Sequence, residues 1–224
     1  MEVACDRDQL YSFDISRTAL LCVDYQRDFL AAEGMCAIRG LPVDVLASVI
    51  APARQAQAAA RSAGMTVAHL REAYLPDLSD LNAFRKARDT IVGQPGPLGR
   101  FLIRGEPGTQ IIPELAPAAG EVAFDKPGFS GFYRTELHAA LQARSVTHLV
   151  IMGITTQCCI ESTLRSAVDL GYFPLLLADC CAAYEVAHHA AVIESIFSEN
   201  HQFGWVSDSS RFMAALATTL SEAR

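Results

Sequence analysis

Six short stretches of the chain are apolar almost without interruption: residues 19–24 (ALLCVD), 65–70, 121–125, 149–154, 174–178 and 203–206. Short runs without polar alternation predict strands covered on both faces, as in a parallel sheet. Between them lie stretches with apolar residues at helical spacing. These are residues 43–63, alanine-rich and stopped by Gly64, then 135–143, 159–170 (stopped by Gly171), 186–197 and 210–220. Strand and helix alternate along the chain, which implies βαβ units with right-handed crossovers. The expected fold class is α/β. It is a three-layer α/β/α sandwich, Rossmann-like, with about six parallel strands in a single domain spanning residues 1–224.

One region breaks the alternation. Residues 72–120 hold six of the ten prolines, including Pro95-Gly96-Pro97 and Glu106-Pro107-Gly108. A loop this long inside a compact domain is usually functional. It is expected to act as a lid, a specificity segment or an interface arm.

Composition narrows the function classes. Hydrophobic residues make up 51% and charged residues 19%, which excludes a disordered chain. The formal net charge of −7 comes without a basic run, so nucleic acid and anionic membranes are not expected partners. No apolar run approaches transmembrane length, and the first residues, MEVACDRDQLYSFD, lack the apolar core of a secretion signal. Seven cysteines without a CxxC suit free thiols in a reducing cytoplasm. The high apolar fraction favours a homodimer or homotetramer.

In open parallel sheets, ligands bind beyond the carboxyl ends of the strands. Strand one ends in Val23-Asp24-Tyr25-Gln26, strand three in Phe124-Asp125-Lys126-Pro127, and strand four runs through Gly153-Ile154-Thr155-Thr156-Gln157-Cys158-Cys159 into a helix. An acid, a lysine and a thiol thus converge on one crevice. A thiol attacks as thiolate, and both a helix N-terminus and a nearby ammonium would lower its pKa. Asp24 can take the thiol proton and return it to a leaving amine. Each residue also has a bland role: Asp24 as a helix cap, Lys126 as a solvated surface charge, Cys159 as apolar filler. Their conjunction at three strand ends favours chemistry.

These segments resemble the isochorismatase-like cysteine hydrolase superfamily over nearly the whole chain, from TALLCVDYQRDF to FGWVSD. The aspartate in LCVDYQ, the lysine in FDKPGFSGF and the motif GITTQCCIESTLRSAVDLGY appear in the family's order. The register of Gly153, Thr156, Cys159 and Thr163 selects Cys159 as nucleophile over Cys158, which is left a packing role. The resemblance further implies a cis peptide at Ile154-Thr155 and an oxyanion hole from the N–H groups of Thr155 and Cys159. It implies no cofactor. Nicotinamidases carry a histidine-rich metal site after strand two; the stretch HLREAYLPDLSDL lacks it, so no metal is expected. Segments LREAYLPDLSDL, GPLGRFLIRGEPG and IIPEL resemble biuret hydrolases, whereas KPGFSGFYRTEL and FGWVSD resemble ureidoacrylate amidohydrolases. The implied function is hydrolysis of a C–N bond in a small amide or ureido compound through a thioester. An amidase for maleamate or a nicotinamide-like amide, and a catalytically silent scaffold, stand as alternatives.

Further candidates for substrate contact are Gln26, Phe29, Arg71, Phe129 and Glu199. Arg71 has an equal claim to an internal ion pair with Glu72 or a lid carboxylate, Gln26 to a structural hydrogen bond in the turn, and Phe29 and Phe129 to plain aromatic packing. Cys180-Cys181 with His188 and His189 invites a zinc reading, but adjacent cysteines are poorly spaced for tetrahedral ligation, and packing is preferred.

Overall fold

The computed structural model describes residues 1–88 and 90–222. Six strands form one fully parallel sheet: β1 (Thr18–Val23), β2 (Thr66–Glu72), β3 (Val122–Lys126), β4 (His148–Ile154), β5 (Phe173–Ala182) and β6 (Trp205–Ser207). Their order across the sheet is β6-β5-β4-β1-β2-β3. From the central pair β1 and β4 the chain winds outward in both directions. That makes the gap between these two strands the topological switch point, where doubly wound sheets bind ligands. Every residue of β1 is buried, which its unbroken apolar run anticipates.

The main helices are α1 (Ile50–Ser62), α2 (Leu137–Ala143), α3 (Glu161–Asp169), α4 (Val186–Ile196) and α5 (Ser209–Glu222). Right-handed crossovers put α1, which links β1 to β2, on one face of the sheet. They put α2 and α3, which lead the opposite way, on the other. The terminal α5 returns to pack against α1. A short hairpin of Glu2–Ala4 and Leu10–Ser12 precedes the sheet.

Two boundaries differ from the sequence pattern for identifiable reasons. The stretch 43–63 is not one helix but Val43–Ala47 followed by α1. Pro52 lies in the first turn of α1; in a continuous helix its ring would clash with the carbonyl of Ser48. Strand β5 runs on past the apolar run to Ala182, through Asp179. That carboxylate is accommodated because it accepts hydrogen bonds from the backbone N–H and hydroxyl of Ser209.

Gly153 fixes how closely the two central strands approach. Its φ is +146°, and a Cβ there would lie 2.1 Å from the carbonyl oxygen of Val23. Gly153→Ala is therefore expected to lower stability by about 2 kcal/mol or more, through backbone strain and steric displacement. Urea unfolding of the two proteins measures this difference.

Between β2 and β3 the chain builds a second apolar cluster. Tyr74, Leu81, Val92, Phe101, Leu102 and Ile103 pack with Met35 and Cys36 from the segment after β1. A buried Asp28 carboxylate accepts the N–H of Leu102 and ties this cluster to the main body.

Candidate active site

Four strands deliver side chains to one chamber. Asp24 follows β1 directly and takes a left-handed backbone, φ +56°, which is rare outside glycine. Its N–H donates to Leu70 O (2.9 Å), and its carbonyl accepts from Gln26 N–H (2.7 Å), so the turn is held from both sides. The Oδ1 atom accepts the N–H of Glu72 (2.9 Å). The Oδ2 atom lies 2.8 Å from Lys126 Nζ, the last residue of β3. Lys126 Nζ also donates to Gly128 O (3.0 Å) and to Cys159 Sγ (3.3 Å). Lys126 is fully buried and Asp24 is 1% exposed, so this ion pair is shielded from water.

Cys159 sits inside a wide turn, Thr156–Ile160, with π-helical bonding that leads into α3. Wide turns of this kind are frequent at functional sites. Thr163 fixes the turn: its hydroxyl donates to Cys159 O (2.7 Å) and accepts Gly131 N–H (2.9 Å) from the loop after β3. The Ile154-Thr155 peptide bond is cis. The chamber is ≈ 100 Å³ and is lined by Asp24, Phe29, Glu72, Ile154, Thr155, Cys158, Cys159 and Tyr184.

The proton inventory departs from the expectation of a resting thiolate. The Cys159 thiol is raised well above its ordinary value by its hydrogen bond with Cys158, by burial and by the Asp24 carboxylate; Lys126 opposes these only in part. Cys159 therefore rests as a thiol. Burial also raises Asp24, to about 6, with Lys126 lowering it and the Glu72 charge raising it. Lys126 is penalised by burial, yet the negative groups around it outweigh that and raise its pKa. At neutral pH the site thus holds an ammonium, a carboxylate poised to accept a proton and a thiol ready to give one.

Glu72 is the residue that sequence reasoning placed elsewhere. The sequence offered it only as one possible ion-pair partner of Arg71, whose even alternative was substrate contact; Arg71 pairs instead with Asp125 (2.7 Å) and does not line the chamber. The Glu72 carboxylate turns inward. Its Oε2 lies 3.9 Å from Cys159 Sγ, while Oε1 accepts from the Tyr74 hydroxyl (2.9 Å) and from Arg85 (3.1 Å). A lone acid after a strand carries no signal that distinguishes it from a solvated charge.

The remaining candidates divide. Phe29 lines the chamber. Gln26 is fully buried and spends its amide on Glu72, donating to its carbonyl (3.0 Å) and accepting its N–H (2.7 Å), so it positions the turn and does not reach the chamber. Phe129 lies beneath Arg85, beside a neighbouring cavity. Glu199 is exposed in the kinked segment Ser198–His201, also away from the chamber lining. Cys158 lines the chamber beside Cys159. Cys180 and Cys181 are buried thiols, with Cys180 O accepting the Tyr25 hydroxyl (2.6 Å).

Among the described residues, donor atoms of Asp24, Glu72 and Cys159 lie within 4.8 Å of one another. A cation there would meet the Lys126 ammonium, which already neutralises Asp24 and contacts the sulfur. The donor set therefore does not fit a metal ion. No helix among the described residues is long and apolar enough to cross a membrane.

The chain is similar to two curated proteins named ureidoacrylate amidohydrolase RutB. One, from Cronobacter turicensis, is 35% identical over 94% of this chain and 93% of its own length. The other, from Serratia proteamaculans, is 33% identical over 96% and 89%. The crystal structure of a cysteine hydrolase from Pseudomonas syringae pv. phaseolicola superposes with a TM-score of 0.81 at 27% identity, covering 93% of this chain and 96% of that one. The isochorismatase domain model matches residues 18–211, a span that begins at β1, ends in α5 and contains every residue of the chamber. The chain belongs to the isochorismatase family.

Proposed function

We propose that this protein is a cysteine-dependent amidohydrolase that cleaves a C–N bond in a small ureido or amide compound. The observation that carries the reading is the buried Lys126 ammonium, 2.8 Å from Asp24 and 3.3 Å from Cys159, two residues that line one small chamber. Asp24 takes the thiol proton as Cys159 Sγ bonds to the substrate's carbonyl carbon. The carbonyl electrons move to oxygen, where the N–H groups of Thr155 and Cys159 serve as donors; each such donor is worth about 2.7–4 kcal/mol. The C–N bond breaks, Asp24 passes its proton to the departing nitrogen, and a thioester remains. Asp24 then deprotonates water, which displaces the sulfur and restores the thiol. Lys126 holds Asp24 in place and balances the charge on sulfur as it develops.

The relatives' names favour a ureido substrate such as ureidoacrylate, and biuret is the second member of the same class. The segment between β2 and β3 serves as the specificity cover, because it supplies Tyr74 and Arg85 around Glu72. A cytoplasmic homodimer or homotetramer completes the reading, supported by seven free cysteines and the 51% apolar composition. An amidase for maleamate or a nicotinamide-like compound is the second reading; the stretch HLREAYLPDLSDL, without the histidines that mark the nicotinamidase branch, weighs against that branch.

An ammonia-release assay over ureidoacrylate, biuret, simple ureas, maleamate and nicotinamide tests the proposal. Release from a ureido compound supports it; no release from any of the five leaves a silent scaffold. The same assay gives a pH profile. Asp24 must be ionised to act as base, so kcat/KM is expected to fall about tenfold per pH unit below an acid limb near 6, the value to which burial raises this carboxyl. A limb at the ordinary aspartate value would remove Asp24 from the role of base.

A further inference from the structure

Arg85 joins two cavities. It stands on the short helix Ala83–Ala87 inside the segment between β2 and β3, where the Asn82 side chain caps its own N–H. Its Nη2 donates to Glu72 Oε1 (3.1 Å), a residue of the reaction chamber. Its guanidinium carbon lies 4.6 Å from the centre of the Phe129 ring. On the far side is a cavity of ≈ 270 Å³ lined by Arg85 itself with Asn82, Phe129, Ser130, Tyr133 and Ser166, among others. Gly128, whose carbonyl accepts from Lys126, lines it too, so the cavity abuts the catalytic lysine.

Two features of Arg85 lack a structural purpose. Its Nη1 is buried and has no hydrogen-bond partner among the described residues. Leaving a buried charged donor unpaired is unfavourable unless a ligand completes it. Among the described residues, Arg85 is also the sole charged side chain lining the outer cavity, which otherwise offers hydroxyls, an amide and aromatic rings. The reaction chamber, ≈ 100 Å³, is the smaller of the two cavities.

We infer that Arg85 is the specificity residue for an anionic tail: the outer cavity takes a carboxylate carried by the ureido substrate, received by the Arg85 guanidinium while Nη2 stays on Glu72. The planar guanidinium fork suits a carboxylate, and the rings of Phe129 and Tyr133 suit a short unsaturated or apolar spacer. This inference rests on the amidohydrolase reading and narrows it to N-carbamoyl compounds bearing an acid.

The test is the ratio of kcat/KM for an anionic ureido compound, ureidoacrylate, to that for a neutral one, biuret, in the wild-type enzyme, Arg85→Gln and Arg85→Lys. Arg85→Gln is expected to lose at least about tenfold more on ureidoacrylate than on biuret, chiefly through KM. Arg85→Lys, which keeps the cation, is expected to fall between the other two. Equal losses on both compounds in both variants would show that Arg85 only props Glu72, and would overturn the inference while leaving the amidohydrolase reading intact. Absence of ammonia release by the wild type from either compound overturns both. Should Arg85→Gln fail to fold, a ratio in Arg85→Lys that equals the wild type's on both compounds likewise overturns the inference, and a lowered ratio supports it.

Discussion

Cys159→Ala is expected to reduce turnover by about four orders of magnitude or more, to the level set by binding and oxyanion donors alone. The carboxylates of the chamber do not substitute for the sulfur: Asp24 and Glu72 are held by Lys126 and by Arg85 and Tyr74. Cys159→Ser is expected to be severely impaired as well. Its hydroxyl is far less acidic than a thiol that burial already keeps protonated. Cys158→Ala supplies the contrast. Cys158 also lines the chamber, but the Lys126 ammonium touches Cys159 and the Thr163 hydroxyl clasps the Cys159 carbonyl. Cys158→Ala is therefore expected to keep most of the activity. Steady-state ammonia release for the three variants decides the matter, and the opposite ranking would transfer the nucleophile's role to Cys158.

Lys126→Met is expected to destabilise the fold by about 3–5 kcal/mol, because it strands the Asp24 carboxylate in the interior without a counter-charge. Both partners are out of contact with water, and the Glu72 carboxylate nearby adds repulsion. Adding Asp24→Asn to Lys126→Met is expected to recover much of that loss, since the stranded charge is then gone. Neither variant should turn over. Denaturant midpoints for the two singles and the double close a thermodynamic cycle whose coupling measures the pair. If Lys126→Met unfolds at the wild-type midpoint, the ammonium is not what keeps Asp24 ionised.

The sheet was legible because a strand covered on both faces has to be apolar throughout, and β1 is such a strand. Asp24, Lys126 and Cys159 were legible because each sits where a strand gives way to the crevice, and a doubly wound topology gathers those ends. What escaped was polar in the wrong place for a pattern. Asp179 lies inside β5 and interrupts its apolar run. Pro52 divided an otherwise uniform alanine-rich stretch. Glu72 and Arg71 are neighbours at the end of β2 with alternating side-chain direction, so one enters the chamber and the other meets Asp125 on the edge strand. Nothing in the composition of that dipeptide says which does which. The partnership of Glu72 with Arg85 depends on a short helix within a proline-rich segment, where no periodicity exists to read.

The second apolar cluster has a consequence for how such a protein can change. Tyr74, Phe101, Leu102 and Ile103 bury themselves against one another and against Met35, separately from the packing that supports the sheet. Cys159, Asp24 and Lys126 draw on the sheet, whereas Tyr74 draws on this outlying nucleus, and the two meet at Glu72 and Phe29. Substitutions in the outlying nucleus are thus expected to reach the chamber chiefly through those two side chains and to leave the Asp24–Lys126 pair in place.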